Sequence, residues 1–205
     1  MSRPILYATP LSHFARKIRI LLTELEVPFE LKFVPDLLSK DPADFGGNPI
    51  LRIPTLRDGE RWVIESDQIA RYAVERWDPE DRLCVLSLEP EQRNVLSILN
   101  ALMGAEVELI LSARSGMEGV HEIPFFQRYL AVMEHCLAWL ENEGRRSWTA
   151  NEFSYLDVTL IAAWEHASHY QLVPIGDRFP WLAERAGRLA ARPSVAPSTP
   201  ARVGS

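Results

Sequence analysis

The sequence predicts an α/β domain followed by an all-α domain. Three observations carry that reading: strand and helix patterns alternate from Pro4 to residue 78, long helical periodicities fill residues 91–193, and no strand pattern follows Ile64. Asp78–Pro90, DPEDRLCVLSLEP, separates the two and reads as a linker. The expected boundaries are residues 1–78 for the mixed domain, 79–90 for the linker and 91–193 for the helical domain. Residues 194–205, rich in proline and small side chains, predict a disordered tail.

Ile5, Leu6 and Tyr7 read as a short buried strand that Thr9 and Pro10 end. Ser12 stands where an N-cap belongs, before Phe14, Ile18, Leu21, Leu22 and Leu25 at helical spacing. Arg16, Lys17 and Arg19 fall on the polar face of that helix. A serine hydroxyl beside the amides of a helix N-terminus suits an anion, and it also suits a plain cap. Val27-Pro28 closes the helix. Phe29, Leu31 and Phe33 alternate with Glu30 and Lys32, a period-2 strand. Residues 34–47 read as a loop with a short helix. Thr55–Arg57 and Arg61–Ile64 flank Asp58-Gly59, a hairpin signal. Ser66 then caps a helix with Ile69, Ala70, Tyr72, Ala73 and Trp77 available to its buried face.

The second half holds four helical patterns, over 91–115, 125–144, 154–171 and 180–192, with breaks at 116–124 and a turn at Trp148–Glu152. Ser154 and Asp157 form a capping box.

Composition narrows the function classes. The chain has 205 residues, 47% hydrophobic and 24% charged, an ordinary globular balance. A net charge of −6 argues against a nucleic-acid partner. No apolar run of membrane-spanning length stands out, so no membrane partner is expected. The proline-broken N-terminus is no signal peptide, and a cytoplasmic location follows as the default. Cys84 and Cys136 give neither a disulfide framework nor a CxxC. His166 and His169 lack an obvious third ligand, so no metal is expected.

The order of the two domains, with three motifs, resembles the cytosolic glutathione S-transferase family, in a bacterial, serine-type form. The motifs are YATPLSHFARKIR, the Ile53-Pro54 step after Asn48-Pro49, and Glu65-Ser66 followed by Ile69. The resemblance spans residues 4–192 and implies a thioredoxin-like N-terminal domain with an all-helical C-terminal domain. It implies glutathione as co-substrate, an electrophilic and mostly apolar second substrate, a detoxifying transferase activity and a homodimer. Ser12 is the implied catalytic residue, meeting the glutathione sulfur. Ser12, His13, Phe14, Arg52, Ile53, Pro54, Glu65 and Ser66 are the implied glutathione-binding set. Pro54 is expected cis, so that Ile53 offers its backbone to the cysteinyl part. Glu65 and Ser66 would take the γ-glutamyl ammonium and carboxylate.

Some positions depart from the pattern. His13 replaces a common proline and is either a sulfur neighbour or a surface histidine. Leu51 replaces a common glycine. Arg52 either binds the glycyl carboxylate or is solvated. Tyr7 lies in the strand and ranks behind Ser12. Leu102, Met103, Glu106 and Leu109 are candidate walls for the electrophile, and Asn100 or Glu106 is a candidate for reaching a partner subunit's γ-glutamyl site. A non-catalytic binding module on the same fold is the alternative function.

Overall fold

The computed structural model describes residues 3–148 and 153–200. Among them, residues 3–87 with 192–200 form one compact unit, and residues 88–148 with 153–191 form another.

The first unit runs β1 (Ile5–Ala8), α1 (His13–Glu24), β2 (Glu30–Phe33), β3 (Thr55–Asp58), β4 (Arg61–Ile64) and α2 (Ser66–Trp77). Its sheet has the order β2-β1-β3-β4, with β1 parallel to β2 and antiparallel to β3. The expected hairpin is present, with Asp58 facing Arg61. Leu6 pairs with Leu31 on one side and Leu56 on the other, and Leu6 and Leu56 are fully buried. Successive residues of a strand point to opposite faces, so Tyr7 enters a different cluster, with Val34 and Phe45. Gly46 seals that cluster: at φ +71, a Cβ there would stand 2.7 Å from the Tyr7 ring. α1 and α2 pack on each other, burying Ile18, Leu21, Leu22, Ile69, Ala70 and Ala73.

Three expectations for this unit are corrected. Arg16 and Lys17 are not on a solvated face: they are 2% and 0% exposed. Each has a partner far along the chain, Arg16 Nε donating to Ser198 Oγ (3.2 Å) and Lys17 Nζ to Asp67 Oδ1 (2.6 Å). Residues 194–200 are not a disordered tail. Val195 is fully buried, and the Arg192 guanidinium grips Glu24 at 3.0 and 3.1 Å, where Ser194 also donates. Specific polar anchors on α1 override a composition that reads as loose. Residues 201–205 lie outside the described residues. Finally, Ser66 is the first helical residue of α2, and Glu65 occupies the cap position.

The 79–87 stretch is a folded loop. The Asp81 carboxylate accepts from the amides of Val85, Leu86 and Ser87, and Leu83 is buried.

The second unit comprises α3 (Pro90–Arg114), α4 (Pro124–Asn142), α5 (Tyr155–Tyr170) and α6 (Pro180–Ala190). α3 opens with a reciprocal Glu89–Gln92 capping box. α3 packs on α4 and α5, and α6 packs on α5 and α4. α5 is buried along most of its length, from Tyr155 to Ala167, as a helix apolar on all sides must be. Its Ser154–Asp157 capping box forms as expected. The rest of the expected turn after Trp148 lies outside the described residues. With 25 residues and a window of mean hydropathy 1.6, α3 is long and apolar enough to cross a membrane, although no such run was expected. The core helix of a soluble protein has the same length and composition, and Val95, Leu99, Leu102 and Met103 of α3 are buried.

Candidate functional site

The first unit presents two helix N-termini and one loop that carry the expected residues. At α1, Ser12 is an extended N-cap whose Oγ accepts from the Ala15 amide at 3.2 Å. A hydroxyl holds two acceptor lone pairs and one proton, so this cap leaves the O–H able to donate to an anion. The aligned peptide dipoles add a positive partial charge of about half an elementary unit there. His13 follows at the first helical position. It is 2% exposed, which removes the surface-histidine reading, and its ring lies 4.8 Å from that of Phe14. Phe14 is half-buried.

The loop is 48–54. Asn48 is buried, and its amide nitrogen donates to the Arg52 carbonyl (2.9 Å) and the Thr55 hydroxyl (3.2 Å). Its side-chain oxygen accepts from the Ile50 amide. One side chain thus ties down the turn that precedes Pro54. The Ile53-Pro54 bond is cis. Ile53 and Leu51 pack on the Tyr7 cluster, so Tyr7 supports this loop from the core. Leu51 has φ +53, the left-handed region that glycine occupies most readily, which accounts for glycine being common at this position in the resemblance pattern. The Arg52 side chain is exposed.

At α2, Glu65 has φ 65 and ψ 125. A non-glycine residue in that region carries roughly 1–3 kcal/mol of backbone strain, and such positions cluster at ligand clamps. Glu65 is exposed, and Ser66, at 5% exposure, begins the helix. The Lys17–Asp67 ion pair ties α1 to the first turn of α2, a contact with no local signal in the sequence because its members lie fifty residues apart. Burial pulls the Lys17 ammonium below its ordinary value, with Asp67 and then Glu65 opposing that shift.

In the second unit, Glu106 is fully buried and its Oε2 lies 3.1 Å from His166 Nδ1. This overturns the expectation that Glu106 could reach a partner subunit. Asn100 is partly exposed. Leu102, Met103 and Leu109 are buried.

Residues 11–76 match the model of the glutathione S-transferase N-terminal domain. A glutathione S-transferase structure from Methylobacterium radiotolerans, in complex with glutathione sulfonate, superposes with a TM-score of 0.82 at 26% identity, covering 97% of this chain and 95% of that one. A glutathione S-transferase from Methylobacillus flagellatus with GSH bound gives 0.79 at 21% identity, over 96% and 99%. A glutathione transferase from Phanerochaete chrysosporium with oxidized glutathione gives 0.78 at 18% identity, over 97% and 94%. No match was found among curated proteins.

Proposed function

We propose that the chain, whose residues 11–76 match the glutathione S-transferase N-terminal domain, is a cytosolic glutathione S-transferase that binds glutathione and adds its sulfur to an electrophilic, mostly apolar substrate. The observation that carries this reading is the Ser12 hydroxyl, capping α1 through its lone pair with its proton left to donate. A free thiol has a pKa near 8.5, so only a few per cent is ionised at pH 7. A hydroxyl donor and a helix N-terminus favour the thiolate and lower that pKa. The thiolate then forms the S–C bond, and the electrophile either takes up the electron pair in an addition or expels a leaving group. Glutathione sulfonate in one related structure and GSH in another support the co-substrate.

The other residues take the rest of the peptide in this reading. Ile53 pairs its backbone with the cysteinyl part. Arg52 lies at the glycyl carboxylate, and His13 and Phe14 line the α1 end. Glu65 accepts from the γ-glutamyl ammonium while Ser66 and the α2 amides take its carboxylate. A cytoplasmic location goes with it. Calorimetry with glutathione, followed by conjugation of a generic aryl halide, tests it. Binding with turnover is expected. Binding without turnover supports a non-catalytic module instead, and no binding overturns the site.

Glu65→Ala and Ser66→Ala are expected to raise the glutathione dissociation constant about tenfold each, the worth of one charge-assisted hydrogen bond, with little shift in the thiol pKa. An unchanged constant in both variants moves the γ-glutamyl site elsewhere.

The active species in this reading is a two-fold dimer. α2 supplies less surface for it than the sequence suggests: Asp67 pairs with Lys17 and the Tyr72 hydroxyl donates to Asp58 at 2.7 Å, while Arg71 remains exposed. Sedimentation at micromolar concentration should give twice the 23.3 kDa chain mass, and the chain mass itself rules the dimer out.

A further inference from the structure

We infer that Lys17 is a positioning residue for the γ-glutamyl end of glutathione: it holds the Asp67 carboxylate in a fixed pair, so that the N-terminus of α2 accepts a carboxylate. The inference rests on the glutathione-binding reading above.

Ser66 is flanked in the chain by two acids, Glu65 and Asp67. An acid in a first turn satisfies the helix N-terminus and so competes with any bound anion. Glu65 has a use, since a γ-glutamyl group brings an ammonium. Asp67 has none; its charge opposes the incoming carboxylate. Lys17 supplies the answering charge. It reaches across from α1 with its side chain fully buried, and its Nζ lies 2.6 Å from Asp67 Oδ1, on a carboxylate that is 38% exposed. The ammonium also sits 5.8 Å from the Phe14 ring, on the turn of α1 that begins at Ser12. One cation therefore fixes the two helix ends that the peptide would span.

Stability gives little reason for this arrangement. A lysine loses its hydration when buried, and an apolar side chain of the same length would fill the space on the inner face of α1 without that loss. A charge kept in such a place points to a task for the charge.

The test uses calorimetry on two ligands: glutathione, and the analogue 4-aminobutyryl-cysteinyl-glycine, which lacks the γ-glutamyl α-carboxylate. Lys17→Met is expected to weaken glutathione about tenfold and the analogue by less than about threefold, because only glutathione brings the repelled carboxylate. The pKa of the bound thiol should stay where it is in the unaltered protein. The double variant Lys17→Met, Asp67→Asn removes both charges and is expected to bind glutathione within about threefold of the unaltered protein. Equal losses for the two ligands, no loss in a folded Lys17→Met, or a double variant as weak as the single one overturns the inference. If the single variant does not fold, the double variant decides. Failure of the unaltered protein to bind glutathione removes the functional reading and this inference together. Normal binding without the ligand-selective loss removes only the inference.

Discussion

Arg185→Ala is expected to destabilise the helical unit by about 3–5 kcal/mol, the usual cost of orphaning one member of a buried ion pair. Asp157 is fully buried at the start of α5 and accepts from the Ser154 amide at 3.1 Å, closing the capping box. The same carboxylate receives Arg185 of α6 in a fork, Nε at 2.5 Å and Nη2 at 3.0 Å. The guanidinium lies 5.4 Å from the Trp148 ring and 5.7 Å from that of Trp181, and the two rings meet edge-on. Helix cap, ion pair and cation–π contacts therefore share one carboxylate and one guanidinium. Truncating Arg185 leaves the Asp157 charge in the core and opens a space between two tryptophans. Urea unfolding followed by tryptophan fluorescence reads both the loss of stability and the local change. An unfolding free energy within about 1 kcal/mol of the unaltered protein's would mean that solvent reaches Asp157 and the pair adds little. Glutathione affinity per folded molecule should not change, because Arg185 belongs to the second unit.

The sequence and the structure part company along one physical line. Signals confined to a few neighbouring residues were legible: the Ser12 cap, the Asp58-Gly59 hairpin, the Ser154–Asp157 box and the helical periods beyond residue 90. Interactions closed over long sequence distances were not. Lys17 and Arg16 read as solvated because a charge on a helix usually is, and only folding brings Asp67 and Ser198 to them. The 194–200 stretch read as loose because its composition is loose, yet Glu24 and Arg16 hold it. Glu106 read as a pocket wall or a group reaching a partner subunit because nothing local announces His166, sixty residues on. At the candidate site, sequence reading supplied residue types and order. The strained backbone of Glu65 and the buried Asn48 that fixes the Arg52 carbonyl became visible only in three dimensions.

Ser12→Ala is expected to slow glutathione conjugation about 10- to 100-fold near neutral pH, because a hydrogen bond to a charged group is worth roughly 1.5–3 kcal/mol. The sign of the pH effect follows from which form the hydroxyl favours. In the proposed site it donates to the thiolate, so the bound thiol is expected to ionise at lower pH than free glutathione. The alanine variant loses that donor, and its thiol pKa rises by about one to two units. The rate deficit is then largest below the pKa of the unaltered complex and shrinks as pH rises above that of the variant, where both thiols are ionised. The variant also loses the cap to Ala15, worth about 0.5–2 kcal/mol of stability, so its melting point should fall modestly whatever the chemistry. Stopped-flow conjugation from about pH 6 to about pH 9, alongside a titration of the bound thiol by its ultraviolet absorbance, separates the two roles. A lower melting point with a superimposable pH–rate profile makes Ser12 a cap and nothing more. The buried His13 then becomes the next candidate at this helix N-terminus, ahead of Tyr7, whose ring is packed in the core with Val34 and Phe45.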